Sequence, residues 1–328
     1  MKISILDYGI VDYNSNFRQS HLDSIELAKL SEKLGYHSFW LTQHHSVKSL
    51  SISQPTILGT KILENTSKIK VGFAGFLVHY SQPFAIAEII STFNNFYPGR
   101  CYYGLASNPG TPPGQKEFKI INFSKRVFYS KTSKIQSILT TNQSSNLELV
   151  PKNNQQSELF LLITSEKTAK YAAKHKYGII YGYFLFPDLT NAKKCIEIYR
   201  KTYKKLHNST GKVSFAIFAN YLTNEMEIQQ YLQIMSTYLL GRNFFNEFDT
   251  IPSFEQVKNL ILTKEEIASF AFHQSKIIVG DAVKIKEQID YFSNELQLEE
   301  IMIVPFGQTH ANRSETLEQI AKIYQLKQ

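Results

Sequence analysis

Sulfur is scarce in this chain of 328 residues, which has two cysteines and four methionines. Cys101 and Cys195 are too few for a disulfide framework or a cysteine-built metal site, and they fit a reducing cytoplasm. Long apolar runs are missing too. The longest near-apolar stretch, residues 178–187, is about half of the ~20 residues that a membrane helix needs. Residues 1–10 place Lys2 and Asp7 within a short apolar stretch, unlike a signal peptide. No single-sign charge block dominates either: 36 Lys+Arg stand against 28 Asp+Glu, a net +8. The densest basic cluster, residues 201–205, has Tyr199 and Tyr203 at helical spacing and reads as a solvated helix face, so no nucleic-acid partner is expected. The expectation is a soluble, cytoplasmic globular protein without a membrane or nucleic-acid partner.

Short β-branched or aromatic runs alternate with longer amphipathic segments. Strands are expected at residues 3–6, 38–41, 69–72, 101–105, 159–163, 178–183, 213–218 and 301–304. A helix follows each, one of them spanning residues 115–139. Eight strand–helix repeats in one chain of this length predict an α/β fold, a (β/α)8 TIM barrel. The whole chain reads as one such domain. Two segments break the rhythm. Residues 140–157 are rich in Asn, Gln and Ser and read as a loop or hairpin. Residues 241–275, between the seventh and eighth strands, carry Phe244, Phe245, Phe248, Phe254, Phe270 and Phe272. They form either a lid over one end of the barrel or packing on its shoulder.

In such barrels the chemistry sits on loops at the C-terminal ends of the strands. The second strand runs into Gln43, His44 and His45, and an imidazole there can act as general acid or base or serve a structural hydrogen bond. Adjacent histidines point apart, so one of the two is expected to face a pocket. No carboxylate or cysteine accompanies them at ligand spacing and HExxH is absent, so no metal is expected. Residues 164–168 put small hydroxyl side chains at a helix start. That arrangement either caps the helix or seats a phosphate on its free N–H groups. Residues 107–111 are a Pro/Gly turn able to add backbone N–H groups nearby.

The run from Leu34 to His45, with Gly35-Tyr36, Trp40 and His44-His45, resembles the "LGY…W…EHH" signature of the bacterial luciferase-like flavin monooxygenases. The likeness continues in residues 66–72, 83–88, 97–100 and 104–111, and in Val279-Gly280-Asp281 with residues 300–304. It covers nearly the whole chain, most densely residues 1–111. What the resemblance implies is a (β/α)8 barrel that takes diffusible reduced FMN from a separate flavin reductase and uses O2 to oxygenate a small organic substrate. The chain has no Gly-rich nucleotide fingerprint after a strand, as expected if flavin arrives already reduced. The resemblance further implies a homodimer. A non-catalytic flavin-binding protein and a deazaflavin-dependent oxidoreductase are the alternatives on the same barrel.

By the same resemblance His44 is the catalytic histidine. Ala74-Gly75 falls where the family has a non-proline cis peptide packed near the isoalloxazine. Ser165 and Thr168 match phosphate-binding hydroxyls, and Tyr183 lies where the sixth strand meets the flavin. Two positions depart from the pattern. Gln43 replaces the acidic residue before the histidines, removing an anion beside His44. Ser107, still expected at the cofactor, stands where many members place a phosphate-binding Arg. Losing that cation weakens phosphate binding unless another compensates, and Lys167 is the nearby candidate.

Overall fold

The computed structural model describes residues 1–327. Its strands are β1 (Lys2–Asp7), β2 (Ser38–Leu41), β3 (Lys70–Leu77), β4 (Cys101–Ala106), β5 (Gln143–Ser144), β6 (Leu147–Glu148), β7 (Glu158–Ile163), β8 (Gly178–Gly182), β9 (Val213–Tyr221), β10 (Ile277–Gly280) and β11 (Glu300–Val304). The parallel order β1-β2-β3-β4-β7-β8-β9-β11 closes back onto β1 through pairs such as Ile3↔Ile301, giving the expected eight-stranded barrel.

The helices are α1 (Phe17–Leu34), α2 (Pro55–Asn65), α3 (Pro83–Phe96), α4 (Pro112–Glu117), α5 (Lys125–Thr141), α6 (Glu166–Lys174), α7 (Leu189–His207), α8 (Glu225–Leu239), α9 (Phe254–Val257), α10 (Lys264–Ser275), α11 (Ala282–Leu296) and α12 (His310–Tyr324). Alternation along each strand divides the apolar residues into two layers. Ile3, Phe39, Val71, Tyr103, Leu161, Ile179, Phe215 and Ile301 pack outward against the helices. Leu6, Trp40, Phe160, Ile180, Phe218 and Met302 fill the interior.

The interior is plugged, so ligand chemistry is confined to the rim. At its floor Ser4 and Ser214 donate to the two oxygens of Glu300, at 2.6 and 2.7 Å. Ser38 donates to Ser4, and the indole N–H of Trp40 donates to Ser38, both at 2.7 Å. Trp40 is therefore fully buried with its one polar atom satisfied. Gly72 opposite it admits no side chain, since a Cβ there would fall 2.0 Å from the indole.

Three elements differ from the sequence reading. β3 runs on to Leu77, so Ala74-Gly75 lies inside the strand at a register shift rather than after it. The helix expected over 115–139 is two: α4 ends at Glu117, and α5 starts afresh where Ser124 accepts the N–H of Val127. Between β9 and β11 an unexpected strand, β10, pairs with the upper half of β9 from Phe218 to Tyr221. The 140–157 segment does form a hairpin, β5–β6. No helix among the described residues is long and apolar enough to cross a membrane.

Candidate active site

The C-terminal rim is built strand by strand. After β1, the buried Asp7 carboxylate accepts the Ser24 hydroxyl at 2.5 Å and the Gly9 N–H at 3.1 Å. Burial pushes this carboxyl up, with Ser24 and Arg313 opposing. These bonds fix the turn that carries Tyr8, whose ring packs on Phe306 at 5.2 Å and stacks on His44 at 5.1 Å and 27°.

After β2 the two histidines separate as expected. His45 is engaged: its Nε2 accepts the Gln43 amide N–H at 2.8 Å, and its ring lies parallel to Tyr80 at 4.7 Å. His44 is held by its backbone N–H on the Ile52 carbonyl at 2.9 Å, while its Nδ1 is buried without a partner. Burial, and secondarily His45, lowers its pKa to about 4. At neutral pH this is an uncharged imidazole with a free polar atom, suited to accept or donate one proton.

Gln43, in place of an acid, bridges two loops. Its Oε1 accepts the Leu77 N–H at 3.0 Å at the end of β3. A neutral amide makes both this bond and the one to His45, whereas a carboxylate has no N–H to donate. Just below, the Ala74-Gly75 peptide is cis. A Cβ on Gly75 would fall 2.9 Å from the Gly104 carbonyl oxygen, so glycine keeps this strand close to β4.

The next two loops form a polar cradle. Ser107, past the end of β4, accepts from Lys125 Nζ at 2.6 Å. Lys125 is the first residue of α5 and is exposed, and partial desolvation of its ammonium lowers its pKa. Past β7, the Ser165 and Thr168 hydroxyls lie 3.0 Å apart, and Tyr129 from α5 reaches Thr168 at 3.1 Å. Ser165 does not cap α6. By contrast, Asn16, Ser124, Asp188, Asn224, Asp281 and Thr309 each accept an N–H at the start of their helices. α2 and α3, which also lack such a bond, begin with proline. The first-turn N–H groups of α6 are thus left without a side-chain acceptor, at the positive end of a helix dipole.

His44, Ser107, Ser165 and Thr168 therefore follow β2, β4 and β7, and Ala74-Gly75 lies within β3; these four strands are neighbours in the barrel. Tyr183 does not join them. Its ring packs on Phe215 at 5.3 Å and on Phe292 of α11 at 4.9 Å, in the outer layer, because β8 ends at Gly182 and the chain turns outward there. Lys167 is exposed on the first turn of α6, and the cation beside Ser107 is Lys125. Lys125 and Tyr129 escaped the sequence reading because one continuous helix over 115–139 put them mid-helix. The Asn122-Phe123-Ser124 break was the signal that makes Lys125 a first-turn residue.

The 241–275 segment sits over the first two loops. The Ile251 N–H donates to Val11 O at 3.0 Å, and Asn246 bonds both Ser46 O (2.8 Å) and the Lys48 N–H (2.9 Å). Phe245, Phe248 and Phe254 pack on the interior cluster, while Phe244 and Phe272 stay exposed. A cavity of about 860 Å3, lined by Lys2, Lys33, Lys68 and Lys70 among others, opens at the opposite end of the barrel, away from the loops where barrel enzymes work.

This rim, on a closed parallel barrel, is that of an oxidoreductase: the profile of the luciferase-like monooxygenases matches residues 13–295, and the chain belongs to that family. A luciferase-like monooxygenase of Escherichia coli K12 is 24% identical over 310 residues, 92% of this chain and 90% of its own length. Among solved structures, apo-MsnO8 superposes with a TM-score of 0.84 at 21% identity, covering 99% of both chains. The oxygenating constituent of 3,6-diketocamphane monooxygenase from Pseudomonas putida, in complex with FMN, has a TM-score of 0.74 at 14% identity, covering 98% and 97%. An F420-dependent secondary alcohol dehydrogenase has 0.71 at 12%, covering 97% and 98%.

Proposed function

We propose that the protein is an FMN-dependent monooxygenase that takes reduced FMN from a separate flavin reductase and inserts one oxygen atom of O2 into a small organic substrate. The other oxygen atom leaves as water and the reduced flavin returns to FMN, which balances the two electrons. Reduced FMN supplies the electrons that activate oxygen; the remaining roles belong to the chain.

The observation that carries this reading is the start of α6 without a side-chain cap bond, tied to α5 through Tyr129, one turn along from Lys125. Ser107, Ser165, Thr168 and the first N–H groups of α6 offer hydrogen bonds, and Lys125 offers charge, to one phosphate monoester. Gly75 and Gly104 let β3 and β4 pack closely beneath the rim, since a Cβ on either would strike the neighbouring strand or Leu162; the cis Ala74-Gly75 peptide there is the place that the family resemblance gives to the flat ring. His44, uncharged and with Nδ1 free, is the group that holds or passes a proton at the reacting oxygen. The aromatic residues of the 241–275 segment shield that step from water. Tyr183, with its ring in the outer layer, has no part in this reading.

A deazaflavin-dependent hydride transfer is the second reading, favoured by the fold shared with the F420-dependent dehydrogenase. The test is oxygen uptake above the free-flavin background with reduced FMN and a panel of aldehydes and aromatic substrates, scored by product. Coupled product supports monooxygenation. Reversible FMN binding without product points to a flavin carrier, and tighter deazaflavin binding points to hydride transfer.

A further inference from the structure

One histidine near this cradle is unaccounted for. His79 follows β3 and is only 7% exposed, yet both of its ring nitrogens are buried without a hydrogen-bond partner. A neutral imidazole carries one donor and one acceptor, and leaving both unpaired away from water costs free energy. Its ring stands 6.5 Å from that of Phe128 on α5, and Lys125 Nζ stands 5.6 Å from the same Phe128 ring. The charged groups that act on it also come from α5. Lys131 donates to the carbonyls of Val78 and Ser81, at 2.9 and 3.0 Å, and Lys125 donates to Ser107. Neither lysine is paired with a carboxylate among the described residues. Burial, then Lys131, then Lys125 lower the pKa of His79 and keep the ring uncharged. Lys131 is thus spent on backbone carbonyls, while Lys125 and the unpartnered imidazole both lie against Phe128 with no carboxylate paired to either among the described residues.

We propose that His79 is a further ligand of the anionic tail: its ring N–H donates to the phosphate monoester seated by Ser107, Lys125, Ser165 and Thr168. The proposal rests on the phosphate seat described above and adds a group from a fourth segment, the turn after β3. It makes His79 a determinant of selectivity for a phosphorylated over an unphosphorylated flavin. The two unpaired ring nitrogens cost the fold two hydrogen bonds, and a dianion in the seat supplies one of them with charge assistance.

The test compares FMN with riboflavin on the full chain by flavin fluorescence quenching, in wild type, His79→Leu, His79→Gln and Lys125→Ala. The expected result is that His79→Leu weakens FMN about tenfold or more and leaves riboflavin unchanged. His79→Gln, which keeps an N–H donor, recovers most of the loss. Equal effects on both flavins, or none, while Lys125→Ala still abolishes the preference for FMN, overturn the role of His79 alone. A wild type without preference for FMN overturns the seat and this proposal together. A second readout needs no variant: the imidazole 15N resonances of His79 are expected to move on adding FMN and not on adding riboflavin. No movement with FMN, or the same movement with both, contradicts the assignment.

Discussion

Lys125 Nζ stands 2.6 Å from Ser107 Oγ, so a cation occupies the end of β4 although the residue there is serine. The position where the family resemblance implies an arginine thus has a cation beside it, on a side chain that arrives from the next helix. Lys125→Ala is expected to weaken FMN about tenfold and riboflavin little, because the proposed contact is with the phosphate alone. Equal losses for both ligands in a fluorescence titration would remove Lys125 from the seat.

The hydroxyl of Ser165 is unusual in not capping its helix, and this yields a paired prediction. Ser165→Ala is expected to cost less than about 0.5 kcal/mol of stability, whereas Ser124→Ala, which removes the cap bond to the Val127 N–H, costs about 1 kcal/mol. Ser165→Ala is nonetheless expected to weaken FMN more than riboflavin. Urea unfolding together with ligand titration checks both halves, and a large stability loss for Ser165→Ala would mark it as a cap after all.

His44→Ala is expected to leave flavin affinity nearly intact and to lower product formation roughly 10²–10⁴-fold, the range of a general acid–base group. Product formation equal to that of wild type would exclude His44 from the mechanism.

The same histidine contributes a pH dependence whose sign is fixed by burial. Its pKa is about 4 in the folded chain, below the ~6.5 of an unfolded histidine. The unfolded chain therefore binds the proton first as pH falls. Stability is full above about pH 6.5 and is lost progressively toward pH 4. Between pH 7 and 4.5 wild type is expected to lose about 2 kcal/mol more than His44→Gln. Identical losses in the two proteins would show that the His44 ring is not shielded from water as its buried Nδ1 implies.

Asn246 ties the 241–275 segment to the loop after the histidines through Ser46 O and the Lys48 N–H. Asn246→Ala is expected to loosen that cover, so that more oxygen is consumed per product formed. The ratio of product to O2 measures it, and an unchanged ratio would reduce the segment to shoulder packing.

The barrel was legible in the sequence because its period is strong: each β-branched run is followed by an amphipathic helix, and a closed parallel barrel accommodates eight such repeats. Site positions that sit directly after strands, His44 and Ser165, were legible for the same reason. What escaped depended on breaks in the pattern. The end of α4 carries no proline or glycine, so one continuous helix hid Lys125 at the start of α5. β10 is four residues long, Ile277–Gly280, and its pairing with β9 is set by tertiary contact rather than by periodicity. Tyr183 was misplaced because β8 stops one residue earlier, which turns its ring to the outer layer. His79 also follows a strand, but the sequence does not set it apart; its interest lies in two unpaired nitrogens that only the folded chain makes visible.

The central claim is that one rim binds a flat ring system by its phosphate tail and employs it in the reduced state. An anaerobic titration of the pure protein with reduced FMN, reduced riboflavin and a reduced deazaflavin tests it most directly. The account predicts a single site per chain that prefers reduced FMN to reduced riboflavin by about tenfold or more. Equal affinity for the two flavins, or saturation by the deazaflavin with no uptake of reduced FMN, would contradict it.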